Sequence, residues 1–125
     1  MDIRELGDAD VLAWTQLLAL TFGRNVDDMA RLWHWFRAGY QLLTWGAWDG
    51  DRLVAQYSCL RSSLLLPSRS EPFSIGISTN MTVHPDYRGR GLIREVSRPV
   101  YQALEAGGAR RTWMAKCSSA RRPVR

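Results

Sequence analysis

Cysteine is almost absent from this 125-residue chain: Cys59 and Cys117 are the only two, far apart and without a CxxC partner spacing. That excludes a disulfide framework and a cysteine zinc site, and it fits a cytoplasmic protein with reduced thiols. Histidine is as scarce, with only His34 and His84. No set of His, Cys or acidic residues has metal-ligand spacing, so no metal is expected. No apolar run approaches the roughly 20 residues that span a bilayer. The acidic start "MDIRELGDAD" lacks the charged-then-apolar order of a secretion signal, and no membrane association is expected. Internal repeats and low-complexity segments are missing as well.

Acid is missing from one region. Residues 1–108 carry 11 Arg against 12 Asp and Glu, whereas "ARRTWMAKCSSARRPVR" (109–125) carries five Arg and the single Lys with no acid. The net charge of +5 therefore belongs to the end of the chain. Such a segment reads as a solvated, disordered tail, or as a phosphate-contacting arm for nucleic acid. The length fits one domain, and with six Trp among 46% apolar residues a core is affordable. The expected division is a folded domain over 1–108 and a basic tail over 109–125.

Periodicity orders the elements. "DIREL" alternates weakly as a short strand. "DADVLAWTQLLALTF" places Val11, Trp14, Leu17, Leu18 and Phe22 at helical spacing, with Asp8 or Asp10 as N-cap and Gly23 as the stop. "VDDMARLWHWFRAG" reads as a second helix, with Asp27 as cap, Met29, Leu32, Trp33 and Phe36 on one face, and Gly39 at its end. "LLTWGAW" and "RLVAQYSCLRSSLLL" read as strands joined by the hairpin signal "DGD". After the turn "PSRSEP" comes "FSIGISTNMTV". Its strict alternation puts Phe73, Ile75, Ile77, Thr79, Met81 and Val83 on one face. Ser74, Gly76, Ser78, Asn80 and Thr82 fall on the other, a small polar face that is either solvated or approached by another molecule. "GLIREVSRPVYQALEAGG" is a helix with the stripe Leu92, Ile93, Val96, Val100, Ala103 and Leu104, and with an interior Pro99 that predicts a kink.

Between that strand and that helix lies "HPDYRGRG". A helix start offers unpaired N–H groups and a partial positive charge, and glycines let its backbone approach a ligand. Helix starts favour acids, yet Arg90, Arg94 and Arg98 form a stripe here. The stripe opposes the helix dipole unless an anion is bound, and otherwise it is an exposed basic face. No Gly-Lys-Ser/Thr follows, which excludes a Walker loop, and no third glycine or downstream acid completes a dinucleotide fingerprint.

"MTVHPDYRGRGLI" closely resembles the acetyl-CoA motif of the GCN5-related N-acetyltransferases (GNAT): a strand ending in Val-x-Pro, then Arg/Gln-x-x-Gly-x-Gly/Ala, then a helix. The matching positions are Val83, Pro85, Arg88, Gly91 and Ile93, the last standing where a small residue is usual. The upstream order of elements also fits, so the resemblance spans about residues 3 to 108. It implies an α/β (α+β) fold with a mixed, largely antiparallel sheet and flanking helices, and acetyl-CoA as co-substrate. The N–H groups of Arg88, Gly89, Arg90, Gly91, Leu92 and Ile93 would hold its pyrophosphate. The strand edge at Met81, Thr82 and Val83 would pair with the pantetheine arm, and a backbone N–H there would polarise the thioester carbonyl. An amine, on a small molecule or a peptide, would be the acceptor. The first two helices would contact it, with Trp33, Trp35, Phe36 and Tyr40 either lining its pocket or belonging to the core.

No general base is evident. The motif strand has no Asp or Glu; Glu71 lies back at the turn, His84 after the strand is a candidate, and His34 reads as an ordinary helix residue. Family members continue with a further strand, a helix and closing strands, and residues 109–125 show no apolar alternation. The expectation is therefore a fold lacking its C-terminal part, through truncation or a shifted frame in GC-rich DNA, or else a divergent end. The motif strand would then keep an open edge, which Trp113 and Met114 or a second copy in a homodimer would cover. Three functions follow in order: an N-acetyltransferase, an inactive domain that binds coenzyme A or a protein partner, and a nucleic-acid binder.

Overall fold

The structure is a computed structural model and describes residues 1–39, 41–68, 70–107 and 111–113. The order of elements is β1 (Asp2–Glu5), α1 (Val11–Phe22), α2 (Val26–Gly39), β2 (Gln41–Asp49), β3 (Arg52–Leu64), β4 (Phe73–Val83), α3 (Leu92–Ala106) and β5 (Arg111–Trp113). The strands form one sheet in the order β1-β2-β3-β4-β5. The first four are antiparallel, and β5 runs parallel to β4 through Ile75–Arg111, Gly76–Thr112 and Ile77–Trp113. Three residues are too few for an apolar alternation to register, so this strand leaves no pattern in the sequence. It includes Trp113 of the anticipated substitute strand, while Met114 lies outside the described residues, as does the rest of the expected tail apart from 111–113.

Two cores sandwich the sheet. Beneath α1 and α2 lie Leu6, Trp14, Leu17, Leu18, Trp33, Leu42, Leu53 and Leu60. Beneath α3 lie Leu43, Ala47, Val54, Tyr57, Cys59, Val96, Val100 and Leu104. In α3 the four-residue spacing of Leu92, Val96, Val100 and Leu104 buries one stripe, and the same spacing leaves Arg90, Arg94 and Arg98 in solvent. Each buried Val or Leu of that stripe contributes roughly 1.5–3 kcal/mol. The helix runs from Leu92 to Ala106 through Pro99. The carbonyl that Pro99 cannot pair belongs to the exposed Glu95.

The caps differ in detail from the sequence pattern. Gly23 ends α1 in the left-handed region (φ 66°), as expected. Asp10 stands at the N-cap of α1, but its carboxylate turns back to the Gly7 N–H (2.9 Å) and to Arg4 (3.1 Å), tying β1 to the helix entry. Asn25, not Asp27, caps α2, its Oδ1 accepting from the Asp28 N–H at 2.8 Å. Of the suggested pocket aromatics, Trp33 and Phe36 are core and Trp35 is 58% exposed, while Tyr40 lies outside the described residues.

Candidate active site

The site begins with an irregularity in β4. Ser58 pairs with Asn80 but Cys59 pairs with Ser78, so Thr79 is an extra residue, a β-bulge whose Oγ1 donates to the Ser58 carbonyl at 3.1 Å. One inserted residue exchanges the two faces of a strand. Gly76 looks toward Leu104 of α3 and Ser78 pairs with Cys59 on that side, whereas Asn80 and Thr82 bond Gln56 on the α1 side. The single small polar face expected from strict alternation is therefore split at Thr79. β5 covers the outer edge of β4 only from Ile75 to Ile77. Beyond the bulge, among the described residues, the edge past Met81, Thr82 and Val83 has no strand partner.

The loop that follows is bolted to the β2–β3 hairpin. The His84 N–H donates to the Val54 carbonyl (2.7 Å), and the Tyr87 hydroxyl donates to Asp49 (2.5 Å). That hydrogen bond to the Asp49 carboxylate pushes the Tyr87 phenol up from its ordinary value. Arg52 and Arg90 both lie over the Tyr87 ring, at 5.9 and 4.8 Å. Gly89 (φ 80°) and Gly91 (φ 72°) supply two left-handed turns that other residues resist. Gly91 is the N-cap of α3, and the first amide bonded back to this turn is Glu95, to the Gly91 carbonyl at 3.3 Å. The N–H groups of the first turn of α3, Leu92, Ile93 and Arg94, have no carbonyl within the helix to bond. Arg88 and Arg90 donate only to the Val83 and Asp86 carbonyls, and neither they nor Arg94 and Arg98 pair with a carboxylate among the described residues. A helix start with guanidiniums near it in sequence that hold no carboxylate fits a pyrophosphate-sized anion.

The candidate bases fare differently. His84 is 8% exposed, with Nδ1 3.1 Å from the Asp86 N–H and Nε2 2.7 Å from an Arg52 guanidinium nitrogen. An imidazole has a single lone pair to give, and the Asp86 N–H and the Arg52 guanidinium, both donors, compete for it, so His84 offers none to an amine. Glu71 is exposed ahead of β4, ten residues before Met81 or roughly 30 Å of extended chain. His34 is exposed on α2. Among the described residues, no group of three His, Cys, Asp or Glu side chains has metal-holding geometry.

A polar network beneath α1 went unread in the sequence. Gln56, wholly buried on β3, accepts from Trp14 Nε1 (3.2 Å) and Ser58 Oγ (2.6 Å), and donates to Asn80 Oδ1 and Thr82 Oγ1 (2.8 Å each). Thr44 joins it at 2.8 Å from Ser58. The available signal was polar residues recurring on one face of three strands, at Thr44, at Gln56 and Ser58, and at Asn80 and Thr82.

The family described as "Acetyltransferase (GNAT) domain" matches residues 2–115, a span that includes β5. An acetyltransferase from Vibrio fischeri is similar in fold, with TM-score 0.74 at 14% identity over 91% of this chain and 94% of that one. The aminoglycoside antibiotic 6'-N-acetyltransferase AAC(6')-IG from Acinetobacter haemolyticus gives TM-score 0.71 at 15% identity, over 94% and 82%. AAC(6')-Iy in complex with the bisubstrate analogue CoA-S-monomethyl-acetylneamine gives 0.76 at 14% identity, over 95% and 81%. No curated protein matches the chain. With the motif, the sheet order and the family match in agreement, the chain belongs to the GNAT acetyltransferase domain family.

Proposed function

We propose that this chain is a cytoplasmic N-acetyltransferase that moves an acetyl group from acetyl-CoA to an amine on a small molecule or peptide. The observation that carries the reading is the open first turn of α3, reached through two left-handed glycines directly after a strand with an open edge. On this reading, the amides of Arg88 to Ile93 bind the pyrophosphate, and the edge of Met81, Thr82 and Val83 hydrogen-bonds the amides of the pantetheine arm. A backbone N–H of that edge faces the thioester carbonyl and stabilises the negative charge that develops there. The amine nitrogen attacks the carbonyl carbon, and the C–N bond forms as the C–S bond breaks. The amine's proton leaves to water, and the thiolate takes up a proton as coenzyme A departs. The relatives solved with coenzyme A or a bisubstrate analogue support this assignment.

A second reading, an inactive domain that binds coenzyme A, draws on the absence of a carboxylate from β4 and on the engaged nitrogens of His84. Thiol release from acetyl-CoA with a panel of aliphatic, aromatic and polycationic amines tests the choice. Amine-dependent release above the amine-free rate is expected. Saturable binding of coenzyme A with no release from any amine would favour the inactive domain.

A further inference from the structure

The buried network fixes the direction of one amide, and that direction bears on the reaction. Trp14 Nε1 carries a hydrogen and can only donate, so the Gln56 atom 3.2 Å away must be its carbonyl oxygen. Gln56 therefore turns its NH2 toward β4, where Asn80 must answer with Oδ1 at 2.8 Å. Asn80 is left with its own NH2. That NH2 finds no acceptor among the described residues. The three links Trp14, Gln56 and Asn80 are thus set by one donor-only indole, two of them wholly buried. Asn80 itself is half-buried, and it lies between the bulge at Thr79 and Met81.

We infer that Asn80 is a catalytic residue: its Nδ2–H donates to the carbonyl oxygen of the acetyl thioester, as a second donor beside the backbone N–H of the strand edge. Trp14 and Gln56 are positioning residues that keep the amide from flipping. The inference rests on the reading that acetyl-CoA lies along β4. It adds a donor where charge develops as the amine attacks. Asn80 cannot serve as a base, because a neutral amide takes no proton at neutral pH.

The test compares two ligands that differ only in the acetyl group. Calorimetric titration of the full chain with acetyl-CoA and with CoA is run on the parent, Asn80→Asp and Asn80→Ser. Asp keeps the acceptor for Gln56 and replaces the remaining donor with lone pairs; Ser shortens the side chain out of reach. In both variants CoA affinity is expected to match the parent, while acetyl-CoA affinity falls about tenfold, one lost hydrogen bond. Near-ultraviolet circular dichroism of the tryptophans confirms folding, and Ser serves if Asp does not fold. Trp14→Phe removes the indole hydrogen, and the same selective loss is expected at smaller size. Variants that bind acetyl-CoA and CoA in the parent's ratio would overturn the role of Asn80 and leave the proposed function intact. A folded parent that binds neither ligand would instead overturn the proposed function, and the role of Asn80 with it.

Discussion

Gly76 sits where a side chain has no room. A Cβ there would lie 2.6 Å from Leu104 Cδ1 and 3.4 Å from the Cys59 sulfur, so the tip of the buried Leu104 side chain would have to shift to admit it. Gly76→Ala is expected to cost about 1–3 kcal/mol, read as a lower denaturant midpoint at an unchanged slope. Cys59 shares that contact. Burial pushes its thiol up to about 11, against the weaker opposing effects of Tyr57, Arg61 and a backbone N–H. In a Cys117→Ser background, Cys59 should resist iodoacetamide at pH 8 in the folded protein and react at once in denaturant. The unfolded thiol ionises first as pH rises from about 9, while the folded thiol stays neutral until about 11, so across that window folding stability falls with rising pH. Rapid labelling of the native protein would contradict the burial.

At the scale of the element, the long periodic segments were legible and the local chemistry was not. The stripe of α3, the caps at Gly23 and Gly107, the hairpin turn at Gly50 and the extent of β4 all follow from spacing and glycine placement. The bulge at Thr79 does not, because an inserted residue is defined by its partner strand, and alternation within one strand is blind to it. The same holds for Asn25 against Asp27 as a cap: both residue types suit the position, and only the backbone path decides. The loop amides were legible from the motif, whereas the loss of His84 as a base depends on Arg52, which lies 32 residues away in sequence. Pro99→Ala restores a helix N–H and should stabilise the chain by about 1–3 kcal/mol, measured by thermal or denaturant unfolding. The Asp10 carboxylate ties stability to pH. Burial raises its pKa, but the hydrogen bonds from Arg4 and Gly7 and the charge of Arg4 outweigh this and hold it below the ordinary 3.8. Its contribution is therefore present above about pH 4 and lost as pH falls through the lower folded value. Asp10→Asn should be less stable than the parent by about 0.5–1 kcal/mol at pH 7 and no different near pH 2, a half-exposed Arg4 keeping the figure small.

Taken whole, the molecule concentrates its open hydrogen-bonding groups at one end of β4. The helices bury both faces of the sheet, no described helix is long and apolar enough to cross a membrane, and the loop before α3 is held to the β2–β3 hairpin. The central claim is that the amides of Arg88 to Ile93 hold the pyrophosphate of acetyl-CoA. Calorimetric titration with acetyl-CoA, of the parent and of Gly91→Glu, tests it most directly. The substitution forces a side chain onto a residue at φ 72°, costing about 1–2 kcal/mol, and sets a carboxylate beside the anion site, with open space around the new Cβ. Saturable binding by the parent that is abolished in a folded Gly91→Glu is the predicted result. Equal binding by the two proteins, or none by a folded parent, would contradict the account.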